Sequence, residues 1–115
     1  MFNNTRPIDY PIFKKAKFLG DKDILVEQGD YIVNKDGDLL EVTCGNRKYF
    51  ESDKCYDQEI NIHYFRAKYL GNKDDFLGHT NQIRFAEKEE IEKVKQWLVN
   101  GIYYKVMQNG QLSFV

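Results

Sequence analysis

The stretch Glu87 to Asn100 constrains this chain most, because it carries the one long helical pattern in a sequence otherwise made of short strands and turns. Ile91, Val94 and Leu98 fall at i, i+3 and i+7 with Trp97 beside them, the stripe of a helix with one buried side. Glu89 and Lys93 form an i,i+4 pair, and Glu87, Glu89 and Glu90 crowd the first turn, where the helix dipole favours anions. Asn100-Gly101 predicts the stop, since Gly accepts a left-handed C′ conformation. Glu87 is a weaker start than Ser, Thr, Asp or Asn would be.

At 115 residues there is room for one core, so a single domain over 1–115 is predicted, with 1–11 as an extended N-terminal arm bearing Pro7 and Pro11. Hydrophobic residues at 42% exclude a disordered chain. A net charge of −1 excludes a global electrostatic footprint for nucleic acid or membrane, so either partner would need a local patch. No apolar run approaches the roughly 20 residues of a membrane span, and Met1 to Tyr10 lacks the apolar stretch of a secretory signal. A cytoplasmic protein is therefore expected. Cys44 and Cys55 are then read as free thiols, a disulfide being expected only in an exported chain.

The alternation from Ile12 to Leu19 predicts a strand. Asp36-Gly37 predicts a two-residue type I′ hairpin, with Val33 opposite Leu40, Tyr31 opposite Val42, and Lys35 and Asp38 as a flanking charge pair. Lys48 to Glu51 reads as a strand, Ser52 to Gln58 as a loop, and Glu59 to Leu70 as a long bulged strand. Gly71 to His79 reads as loop and Ile83 to Phe85 as a short strand. Beyond the helix, Asn109-Gly110 predicts a C-terminal hairpin that sets Met107 opposite Leu112 and Lys105 opposite Phe114, alongside Tyr103. The fold class is α+β: a strongly bent antiparallel sheet or small open barrel of six to eight short strands, one amphipathic helix and that hairpin.

An internal echo points to a surface. Phe13-Lys14-Lys15-Ala16-Lys17-Phe18-Leu19-Gly20-Asp21-Lys22-Asp23 returns as Tyr64-Phe65-Arg66-Ala67-Lys68-Tyr69-Leu70-Gly71-Asn72-Lys73-Asp74, with six of eleven positions identical. If the copies are adjacent strands, Lys15, Lys17, Arg66 and Lys68 make a four-cation face interleaved with Phe13 and Tyr64. The plainer alternative is one strand-turn unit used twice, with Gly and Asx making the turn.

Catalytic and metal signatures are missing from the sequence. Asn72-Lys73-Asp74-Asp75 has the form of a guanine-reading motif, but no phosphate-cradling loop accompanies it. His63, His79, Cys55, Asp74 and Asp75 match no ligand spacing, and neither metal nor cofactor is expected. The run Ile83-Arg84-Phe85-Ala86-Glu87-Lys88-Glu89-Glu90-Ile91, preceded by Phe76-Leu77-Gly78, resembles a segment of small proteins of bacterial phages and mobile elements. In that segment a short strand enters a helix through Thr-Pro-Glu-Glu; this chain has Glu87 and Lys88 in place of Thr and Pro. The resemblance implies a mobile-element setting and no activity.

Three functional readings follow. The leading one is a non-enzymatic protein-binding module, an inhibitor of a host defence protein, with Tyr103, Met107, Leu112 and Phe114 as apolar anchors and Lys15, Lys17, Tyr64, Arg66 and Lys68 as the complement to an acidic host or phage protein. The second is a nucleic-acid binder using the same basic and aromatic face. The third is an enzyme using His63 or His79.

Overall fold

The computed structural model describes residues 5–47 and 62–108, with side chains described as far as Gly101. The expected strand at Lys48 to Glu51, the loop at Ser52 to Gln58 and the hairpin turn at Asn109-Gly110 lie outside the described residues. Five strands and one helix follow in order: β1 (Tyr31–Asn34), β2 (Leu39–Cys44), β3 (Tyr64–Tyr69), β4 (Phe76–His79), β5 (Ile83–Phe85) and α1 (Lys88–Gln108). All pairings are antiparallel and the sheet order is β4-β3-β2-β1-β5. The class is α+β, as the sequence predicts, with five strands among the described residues instead of six to eight.

Chain connectivity requires the bend. β4 and β5 occupy opposite edges, which in a flat sheet would lie about 19 Å apart at about 4.8 Å per strand. Only Thr80, Asn81 and Gln82 join them, a link that reaches about 14 Å fully extended. That link is in fact folded back by a hydrogen bond from the Gln82 amide to the His79 carbonyl at 3.3 Å. The sheet must therefore curl its edges toward one another, and it stays open because β4 and β5 do not pair.

The β1-β2 hairpin differs from expectation by one residue. Val33 pairs with Leu39, Ile32 with Leu40 and Tyr31 with Glu41. Asn34 is the cause: its Oδ1 accepts from the amides of Asp36 at 2.9 Å and Asp38 at 3.0 Å, stabilising a three-residue loop that ends on Gly37 at φ 84. A Cβ at Gly37 would also stand 2.5 Å from the Phe13 carbonyl oxygen. Asp38 is consequently no surface partner of Lys35 but is only 2% exposed.

Buried Asp38 organises the arm. Its carboxylate accepts from Arg6 Nε at 2.7 Å and from the Tyr69 hydroxyl at 2.9 Å, which supplies the partners a buried charge requires. Tyr10 is buried alongside, donating its hydroxyl to the Leu39 carbonyl and accepting from the Leu70 amide at 3.2 Å. Its ring meets Tyr69 and Trp97 edge-on, with centroids 5.2 and 5.0 Å apart. Burial holds both tyrosine hydroxyls above the ordinary range, helped at Tyr69 by its bond to Asp38. From Thr5 onward, then, the arm is fastened to the sheet.

Other elements are also corrected. Residues 12–19 form no strand, contributing one isolated bridge from Ile12 to Asp38 and backbone bonds from Phe13 to Gly37 and from Ala16 to Asn34. β3 begins at Tyr64, with Ile62 and His63 in a turn, and the irregularity in its pairing falls on β2 between Val42 and Cys44. Phe76–His79, read as loop, is strand β4; Gly78 admits the Phe65 ring, which a Cβ would meet at 2.6 Å. Cys44 is disulfide-bonded, not a free thiol, while Cys55 lies outside the described residues.

The helix runs past its predicted stop to Gln108. Gly permits a left-handed cap without enforcing one, and Gly101 is absent from the positive-φ positions; in a helix interior it costs only about 1 kcal/mol relative to Ala. Tyr103 and Met107 are therefore helical, and the first strand of the expected C-terminal hairpin is not formed. Val94 is fully buried in the core with Val26, Ile32, Leu40 and Phe65, and Ile91, Trp97 and Leu98 pack against it, as the periodicity predicts.

Candidate functional site

The most promising site is built at the junction of β5, the start of α1 and the segment 14–24. Glu87 and Lys88 open the helix without a favoured cap side chain, but Glu90 turns back so that its Oε1 accepts the Glu87 amide at 2.8 Å. This is half of a capping box. The same carboxylate grips Arg84 of β5 through two parallel bonds, Nη1 to Oε1 at 2.8 Å and Nη2 to Oε2 at 2.7 Å. Hydrogen bonding from Arg84 holds the Glu90 carboxyl below the usual range, and the same bond raises the Arg84 guanidinium.

Arg84 also reaches across to the irregular segment. Its Nε and Nη2 donate to the Lys14 carbonyl at 3.1 and 2.9 Å. Nearby, the Leu19 amide bonds the Asn81 carbonyl at 2.8 Å and the Ile24 amide bonds the Thr80 carbonyl at 3.0 Å. Segment 14–24 is thus held by its backbone, while its lysine side chains stay exposed.

Between these elements lies an open cleft of about 470 Å³. Its apolar lining is Leu19, Ile24 and Ile83; Lys14, Lys15 and Lys17 stand on one side, and Glu87, Arg84 and Glu90 on the other. Arg84 and Glu90 compensate each other. The three lysines have no acidic partner within ion-pair distance among the described residues. Two exposed aromatics belong to the same elements, Phe18 at 69% and Phe85 at 51%. This arrangement can hold an anionic group and bury an apolar one beside it.

The other expected residues are distributed differently. Lys15 and Lys17 line the cleft, but Tyr64, Arg66 and Lys68 are on β3, flanked by β2 and β4, so the two echoed stretches are not neighbouring strands. Arg66 lies 3.6 Å from Asp75, Lys68 stands opposite Glu41 in register, and the Tyr64 ring lies 4.9 Å from His79. Phe13 is half-buried, with the Lys93 ammonium 6.0 Å over its ring. Tyr103 and Met107 are on α1, while Leu112 and Phe114 lie outside the described residues.

The two histidines have separate side-chain neighbours, the Tyr64 ring at His79 and an aspartate at His63. His63 Nδ1 is 2.9 Å from Asp23 Oδ2, and Asp23 Oδ1 accepts from the Thr80 hydroxyl at 2.7 Å. No three His, Cys, Asp or Glu groups among the described residues gather to hold a metal ion. No helix among them is long and apolar enough to cross a membrane. Sequence reasoning missed Lys14, Ile24, Ile83 and the Arg84-Glu90 clamp as parts of one site. The available signal was the echo itself, in which Lys14 opposite Phe65 is the single non-conservative position. No protein-family model, curated protein or solved structure matches the chain, so the reading of this cleft rests on its own geometry.

Proposed function

We propose that this chain is a non-enzymatic protein-binding module whose contact surface is the cleft of Lys14, Lys15 and Lys17, and that its partner is a protein with an acidic face. The observation that carries the reading is the set of three lysines, uncompensated among the described residues, beside exposed apolar surface. Such charges steer association and select partners more than they add raw affinity, which suits a recognition surface. The resemblance suggests a mobile-element setting, and in that setting the module would be an inhibitor of a host defence protein. The apolar anchors expected on a C-terminal hairpin are no part of this proposal.

A second reading is favoured by Phe18, 69% exposed directly after Lys17, since a bare aromatic among cations is also how single-stranded nucleic acid is held. The experiment is a pull-down of tagged protein from bacterial lysate with and without nuclease, repeated with Lys15→Glu and Lys17→Glu together. A stoichiometric protein that survives nuclease and is lost in the double variant supports the module. Recovery of nucleic acid alone, with affinity falling steeply with salt, transfers the function to the second reading.

A further inference from the structure

We infer that the cleft recognises a particular kind of acidic segment, one in which a single bulky apolar side chain is flanked by carboxylates. The inference rests on the protein-binding reading and specifies its ligand. Leu19, Ile24 and Ile83 give the cleft an aliphatic lining, and at about 470 Å³ with an open mouth it accommodates a side chain, not a whole helix or strand. Lys14, Lys15 and Lys17 stand beside that lining, so carboxylates adjacent to the inserted residue meet ammonium groups while the anchor is buried.

The lining chemistry also discriminates against nucleic acid. Bases gain their binding energy on aromatic or guanidinium planes. Here the lining is aliphatic, the Arg84 guanidinium is already engaged by Glu90 and the Lys14 carbonyl, and Glu87 places a further carboxylate in the cleft that a phosphate chain would have to pass. A peptide backbone carries no charge, so only its flanking carboxylates must avoid Glu87, and these can lie on the lysine side. Two bonds from Arg84 to the Lys14 carbonyl fix the segment where the lysine side begins.

The test uses the full chain and four fluorescent probes: a peptide with Phe between paired Glu residues, the same peptide with Ala for Phe, the same with Gln for every Glu, and a single-stranded oligonucleotide of equal charge. Fluorescence anisotropy at low and moderate salt reads each affinity. Burying one Phe and pairing two rim charges are each expected to change affinity about ten-fold, so the Phe-and-Glu peptide should bind at least about ten-fold tighter than either altered peptide. Lys15→Glu with Lys17→Glu should abolish that preference, and because both side chains are exposed the variant should keep its fold by circular dichroism. If the Ala peptide binds as tightly as the Phe peptide and both are lost in the double variant, the anchored ligand is wrong while the acidic-partner cleft stands. If no acidic peptide binds, or the oligonucleotide binds best, both the anchor and the protein-binding reading fall.

Discussion

Residues 13–23 and 64–74 share six identities in eleven positions, yet the second stretch supplies interior strand β3 while the first lies outside the sheet as one side of the cleft. The alternate positions Phe65, Ala67 and Tyr69 are all buried. Their counterparts are Lys14, Ala16 and Phe18, of which only Ala16 is buried. One non-conservative exchange, Lys14 for Phe65, denies the first copy a core contact and turns that edge toward water. The turns remain alike: Gly20 and Gly71 both adopt positive φ, at 65 and 93. A strand motif becomes a strand when its apolar face has a sheet to join, and an exposed, cation-bearing segment when it has not.

The most drastic way to break the contrast is to move the lysine. Phe65→Lys would place an unpaired ammonium at a 1% exposed position, costing more than about 4 kcal/mol and leaving little folded protein. Lys14→Phe, on the exposed copy, should change stability by about 0.5 kcal/mol or less. Urea unfolding checks both, and similar midpoints would refute the asymmetry.

The matched aromatics come next. Tyr69→Phe leaves Asp38 buried with Arg6 as its remaining side-chain donor, a loss of about 1–2 kcal/mol, whereas Phe18→Ala should lie within about 0.5 kcal/mol of the parent. Thermal unfolding of the two variants reads the difference. Among the glycines, a Cβ at Gly71 would stand 2.9 Å from Leu98 Cδ1, while one at Gly20 meets nothing within 4 Å. Both Ala variants carry the positive-φ strain of about 1 kcal/mol, so Gly71→Ala should be the less stable by the added clash. Equal losses would mean that the Leu98 side chain moves aside.

Two pH effects sharpen the same contrast. Tyr10 and Tyr69 have raised folded values, so their contribution is fully present below the unfolded tyrosine value of about 10 and is lost as pH rises beyond it. Tyr69→Phe should flatten this alkaline decline. Glu90 is lowered, so the contribution of its pair with Arg84 is present above the ordinary glutamate value of about 4.3 and fades as pH falls below it; Arg84→Gln should remove that acid-side slope. Unfolding free energy measured against pH checks both signs.

Much of the architecture was legible because it is written in local pattern. The Ile91, Val94 and Leu98 stripe, the short strand at Ile83 and the turn at Asp36-Gly37 each depend on neighbours a few residues away. What was not legible depends on distant partners. The hairpin register depended on the Asn34 amide, and the fate of segment 12–19 on a sheet whose edges Thr80, Asn81 and Gln82 draw together. The helix end could not be read from Gly101, which tolerates continuation as well as termination. Of the candidate site, Lys15 and Lys17 were visible as exposed cations, but the Arg84-Glu90 clamp and the aliphatic lining appear only when β5, α1 and segment 14–24 meet.

If the proposed cleft binds the partner, the cations of the two copies serve different ends, those of the first recognition and those of the second the sheet. The direct test is capture of the lysate partner after nuclease treatment by two charge-reversal pairs, Lys15→Glu with Lys17→Glu and Arg66→Glu with Lys68→Glu, each first shown to be folded by circular dichroism. The first pair is expected to lose the partner and the second, whose cations face Asp75 and Glu41, to retain it. Retention by the first pair with loss by the second would contradict that assignment.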